Sequence, residues 1–300
     1  MTLSTPSQRW LQAELTIPAT AVDAVAQALE QLAALSVSLS DPGGEPILEP
    51  GPGATPLWPE VIVTALLPPE AGEEAVRAAL SRLTDPPGAG IRFAFIEARD
   101  WVREFRENLG PMRFGDRLWI CPTGRPCPDP AGVAVTLEPG LAFGSGSHPT
   151  TALCLRWLDA LDLRALTVLD WGCGSGVLAI AALALGAQSA TALDIDPQAL
   201  QATADNARRN GRAGGLRITD PARLPRGLRH DVVVANILAD SLIALAPTLR
   251  HHAKAGARVA LSGILTAQAE RVRDACAPWL DLCLAAELDG WALLAGNTRT

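Results

Sequence analysis

The chain has 300 residues, enough for two domains of ordinary size, and 48% hydrophobic against 19% charged residues excludes a disordered polypeptide. A net charge of −7 argues against a broad phosphate-binding surface, hence against direct nucleic-acid binding, and suits a basic partner. No apolar run approaches the ~20 residues that cross a bilayer, and the N-terminus lacks the charged-then-apolar pattern of a signal peptide.

Residues 9–17 alternate Trp10, Gln12, Glu14 and Thr16 with Leu11, Ala13, Leu15 and Ile17, the period of a half-buried strand. Residues 21–34 carry Val22, Val25, Leu29 and Leu32 at helical spacing. A short strand at 36–39, a Pro/Gly-rich loop at 41–59, a strand at 60–67, a helix at 70–83 and a strand at 91–96 complete a βαββαβ order. That order predicts a ferredoxin-like α+β domain over residues 1–97, a binding module without catalytic residues. Residues 98–131 read as a linker, with an amphipathic helix at 100–109 and two short strands about a turn at 112–120.

A third domain-sized stretch, 132–300, opens with a glycine- and hydroxyl-rich loop at 137–151 that leads into an apolar helix at 152–161. His148 sits there as a helix cap or as a proton acceptor. The next stretch organises the rest. Strand residues from Thr167 run into Asp170-Trp171-Gly172-Cys173-Gly174-Ser175-Gly176, followed by an apolar helix at 177–187. A glycine turn before a helix N-terminus is where a doubly wound sheet holds a nucleotide. Val177 stands where a dinucleotide fingerprint needs its third glycine, and no P-loop lysine is near. An acid at the strand end repels a pyrophosphate and suits a ligand with a sulfonium or ammonium group. Asp194, closing the next strand at 190–194, is placed to accept both hydroxyls of a ribose. Helices at 197–210, 238–251 and 266–276 alternate with strands at 215–219, 231–235, 257–262, 280–287 and 291–296, which predicts a seven-stranded doubly wound sheet. Asn236 ends the fourth strand beside the crevice. Its amide oxygen and the following Ile237 carbonyl can hold the N–H groups of an amine, or Asn236 simply caps the next helix.

Cys121, Cys127, Cys154, Cys173, Cys276 and Cys283 form no Cys-x-x-Cys pair and the four histidines are scattered, so no metal site is expected, and the cysteines read as reduced thiols of a cytoplasmic protein.

These stretches together resemble the ribosomal protein L11 methyltransferases, class I enzymes that use S-adenosylmethionine. The resemblance rests on 113–120, on Phe143-Gly144-Ser145-Gly146-Ser147-His148-Pro149-Thr150-Thr151, and on the glycine turn. It extends to Asp194-Ile195-Asp196-Pro197, Asn236-Ile237-Leu238-Ala239 and Leu261-Ser262-Gly263-Ile264-Leu265. Ser145 and Ser147 stand where the family usually has threonine. The resemblance implies a protein-lysine N-methyltransferase, a monomer, that modifies lysine side chains and the N-terminal amine of a large-subunit ribosomal protein. Cofactor contacts are expected at Thr151, Asp170, Gly172, Gly174, Gly176, Asp194 and Asn236, with Asn236, Ile237 and His148 about the reacting amine. The open alternatives are a methyltransferase for another protein, a small-molecule amine or an RNA base, and a non-catalytic module on the same fold.

Overall fold

β1 (Arg9–Pro18) alternates as its sequence predicts, with Leu11, Ala13, Leu15 and Ile17 all buried. The protein is seen here in a computed structural model that describes residues 9–43, 56–83, 90–97, 110–138, 148–225 and 227–299. The chain divides into two compact units, Met1–Trp101 and Val102–Thr300.

In the first unit, β1 is followed by α1 (Val22–Gln31), β2 (Ser36–Ser40), β3 (Glu60–Leu67), α2 (Glu73–Leu80) and β4 (Arg92–Glu97). The four strands form one antiparallel sheet in the order β2-β3-β1-β4. The inward residues of β1 and β3 pack on Val25 and Leu29 of α1 and Val76 and Leu80 of α2, so both helices cover one face. The helices are shorter than the periodicity predicts. Ala33, at φ 59°, ends the helical path of the first, and Gly72, at φ 68°, delays the start of the second.

The second unit is built on a seven-stranded sheet. Its elements are α3 (Pro149–Asp159), β8 (Thr167–Trp171), α4 (Val177–Ala184), β9 (Ser189–Leu193), α5 (Pro197–Arg209), β10 (Leu216–Thr219), β11 (His230–Asn236), α6 (Ala239–His252), β12 (Ala253–Leu265), α7 (Ala269–Cys276), β13 (Leu280–Leu288) and β14 (Trp291–Thr298). The order is β10-β9-β8-β11-β12-β14-β13, parallel except for β14, which runs antiparallel to both neighbours. One face packs on α3, α4 and α5, the other on α6 and α7. The strand order reverses direction between β8 and β11, and a crevice at such a switch point is the usual binding place of this architecture.

A smaller sheet of β5 (Met112–Phe114), β6 (Leu118–Pro122) and β7 (Val133–Leu137) precedes α3. The part of the expected linker at 98–131 from Met112 on thus packs into this unit. Phe114, Leu118 and Ile120 are buried in the same core as Leu153, Val168 and Ile180. The hairpin is also fastened by Asp159, a carboxylate only 5% exposed, which accepts from the amides of Asp116 (2.7 Å) and Arg117 (3.3 Å). β7 itself is not anticipated by the sequence pattern. The helix expected at 100–109 and most of the loop at 137–151 lie outside the described residues.

Candidate active site

β8, β9 and β11 end side by side at the switch point, and a cavity of about 510 Å³ opens there. His148, Thr151, Gly172, Gly174, Asp194, Asn236 and Ile237 line it. Two residues expected to touch a cofactor, Asp170 and Gly176, do not. Gly176 instead starts α4 at φ 78°, and a Cβ there would meet Thr203 at 2.6 Å. It lets α4 approach α5 closely.

Asp170 is fully buried behind the turn. One carboxylate oxygen accepts from the amide of Ala179 in the first turn of α4 (3.1 Å), and the other has no partner among the described residues. Burial pushes its pKa up to about 7, against the lowering effect of the Ala179 bond, with the nearby Asp194 charge adding to the rise. An acid whose folded pKa lies above its unfolded value loses stability as pH rises between the two. Asp170 therefore destabilises the fold increasingly from about pH 4 to about pH 7 and by a constant amount above that. Asn at this position keeps an acceptor for Ala179 and cannot ionise. Denaturant unfolding of Asp170→Asn is expected to show stability relative to the parent rising by on the order of 1 kcal/mol per pH unit between pH 5 and pH 7. A pH-independent difference would remove this reading.

Asp194 stands one residue past β9, half-buried at the cavity wall. One oxygen accepts from the amide of Gly174 (2.9 Å), the other from Asp196 (3.0 Å). The acid thus ties the glycine turn to the second strand, while each oxygen retains a second lone pair for a ligand hydroxyl. Asp194→Ala is expected to weaken cofactor binding at least tenfold, because two charge-assisted hydrogen bonds worth ~1.5–3 kcal/mol are lost. Calorimetry on the folded variant checks this, and unchanged affinity would remove the ribose assignment.

Asn236 and Ile237 form the opposite wall. The Asn236 amide nitrogen donates to Thr151 Oγ1 (3.2 Å), and Thr151 is itself fully buried in the first turn of α3. That bond fixes which end of the amide is left over: Asn236 Oδ1 is buried with no partner among the described residues. A buried acceptor without a donor costs about 1–3 kcal/mol. Ile237 continues the strand direction through its amide, which donates to the Ser262 carbonyl (3.1 Å). Two glycines hold it. A Cβ on Gly172 would meet Ile237 Cγ2 at 2.4 Å, and one on Gly263 (φ 83°) would meet the Ile237 carbonyl oxygen at 2.6 Å. The Leu-Ser-Gly-Ile-Leu stretch thus earns its glycine by seating the Asn236–Ile237 segment.

His148 is the N-cap of α3. Its Nδ1 accepts from the Thr150 amide (3.3 Å) and lies 2.8 Å from Thr150 Oγ1, and its ring packs edge-on against Trp291. Nδ1 is thereby used as the helix cap, and partial burial lowers the pKa of the ring. Sequence reasoning passed over Ile195 and Leu238, which also line the cavity and leave 82% and 58% of their surface exposed. Each immediately follows or nearly follows a predicted polar site residue, and bare apolar side chains in that register were the signal.

These features fit an adenosyl donor of methyl groups. The cavity is of small-ligand size, an acid faces it for hydroxyls, Ile195 offers an apolar surface beside that acid, and an orphaned acceptor waits at the far wall. No group of acidic, histidine or cysteine side chains able to hold a metal occurs among the described residues. No helix among them is long and apolar enough to cross a membrane.

Comparison with known proteins agrees. The sequence profile of the ribosomal protein L11 methyltransferase (PrmA) family matches residues 9–299. The ribosomal protein L11 methyltransferase of Sodalis glossinidius is 47% identical over 294 residues, covering 97% of this chain and 99% of that protein. That of Hahella chejuensis is 48% identical over 288 residues, 96% of this chain and 98% of its own. The crystal structure of a ribosomal protein L11 methylase from Lactobacillus delbrueckii subsp. bulgaricus superposes with a TM-score of 0.57 at 32% identity, over 64% of this chain and 100% of that one. With its class I α/β fold and its S-adenosylmethionine cofactor, the chain belongs to the ribosomal protein L11 methyltransferase family.

Proposed function

We propose that the protein transfers methyl groups to lysine side-chain amines and to the α-amino group of ribosomal protein L11. The observation that carries the amine is Asn236, which lines the cavity and whose Oδ1 is buried without a partner among the described residues. S-adenosylmethionine supplies a methyl group already activated by its sulfonium. The protein's own residues have to hold the donor, present a neutral amine and exclude water. Asp194 holds the ribose. Asn236 Oδ1 and the Ile237 carbonyl offer two acceptors, the number of N–H bonds on a neutral primary amine, and leave the lone pair for the methyl carbon. Lysine has a reference pKa of ~10.4, so the amine must shed a proton, and desolvation beside a cation favours that loss. His148, committed at Nδ1 to the helix cap, shapes the wall and is not assigned the proton.

The first unit is read as the ferredoxin-like recognition domain. Its strand order and the covering of one sheet face by both helices support this. The other face presents Trp10, Ile62, Leu66 and Ile96, none of them fully buried, on adjacent strands. We read the enzyme as a monomer that meets this substrate in the cytoplasm. Mass spectrometry of L11 after incubation with enzyme and donor should show added methyl groups on lysines and the N-terminal residue. Unmodified L11 together with methylation of a small amine would replace the substrate.

A further inference from the structure

A second cavity, about 620 Å³, lies at the opposite end of the sheet, where the parallel strands begin. Arg229 precedes β11, Lys254 opens β12, Arg299 follows β14, and Arg250 and His251 end α6. All five line the cavity, and Trp279, just before β13, forms part of its wall. Carboxylates account for two of the cations: Lys254 bonds Asp231 (2.8 Å) and Arg299 bonds Asp281 (2.8 Å through Nε). The side chains of Arg229 and Arg250 make no ion pair or hydrogen bond among the described residues. His251 Nδ1 is taken by the Pro247 carbonyl (2.7 Å).

Trp279, only 5% exposed, closes the wall with its ring. Arg250 in the last turn of α6 complements the helix macrodipole. That does not account for Arg229, which lies outside the helix. Among the described residues the lining holds no Asp or Glu, and the exposed guanidinium groups of Arg229 and Arg250 have no carboxylate partner.

We propose that this cavity binds a phosphate group. Phosphate offers several acceptor oxygens and negative charge, matching planar guanidinium donors. The site is local, set against the overall charge of −7, and it is separate from the methyl-transfer cavity, with which it shares no lining residue.

The test is calorimetry of the full chain with inorganic phosphate, pyrophosphate and glycerol 3-phosphate. The expected result is saturable one-to-one binding that weakens with added salt. Arg229→Gln and Arg250→Gln should each raise Kd about threefold or more. Unchanged S-adenosylhomocysteine binding shows that the variants are folded. Tighter binding of glycerol 3-phosphate than of phosphate identifies an ester as the ligand, and the reverse identifies the free ion. Absence of saturable binding, or affinity unchanged in either variant, would overturn the proposal.

Discussion

Asn236→Asp is expected to keep cofactor binding and melting temperature and to slow methyl transfer on the order of a hundredfold, ~2.7 kcal/mol. The fold survives because an aspartate oxygen can accept from Thr151 where the asparagine nitrogen donates now. The chemistry suffers because a carboxylate stabilises both the sulfonium and a protonated lysine. Both charges must diminish at the transition state, so tighter ground-state binding raises the barrier. If Asn236 served only the following helix, aspartate would cap as well and the change would be nearly neutral. Single-turnover transfer to L11 at saturating cofactor separates the two. A rate within about twofold of the parent returns Asn236 to a structural role.

Removal of residues 1–101 is expected to leave a folded domain that binds S-adenosylmethionine and methylates L11 more slowly by on the order of a hundredfold or more. The buried core of the first unit draws only on its own residues, such as Leu11, Val25, Val63 and Val76. The cores of the second unit begin at Phe114 and contain nothing from the first. Every described residue lining the methyl-transfer cavity lies at or beyond His148. The cofactor site should therefore persist while recognition is lost. L11 methylation at the full-length rate by the truncated protein would end the recognition role.

The site was legible in the sequence where chemistry and strand ends coincide. Gly172, Asp194 and Asn236 each follow or close an apolar strand, and a parallel sheet brings such ends to one crevice whatever the loops do. Asp170 shows where this reasoning stops. Its position in the strand suggested a ligand contact, but a strand residue next to a tight turn can equally point back under the helix, and here it meets Ala179 instead of the cavity. The hairpin at 112–120 was read as linker because its strands are short and the spacing of their apolar residues does not name the core they join. Its tertiary partners, the core around Leu153 and Ile180 and the carboxylate of Asp159 more than forty positions away in sequence, make it part of the domain. Gly263 needed the structure as well. A glycine inside a long strand signals a close approach, but the Ile237 peptide that makes it could not be named from spacing.

The most direct measurement is a crystal structure of the protein with S-adenosylhomocysteine and a lysine-containing peptide of L11. The lysine nitrogen should lie within hydrogen-bond reach of Asn236 Oδ1 and the Ile237 carbonyl, with Asp194 on the ribose. A lysine nitrogen bound elsewhere in the crevice, with Asn236 Oδ1 paired to the protein itself, would contradict the account.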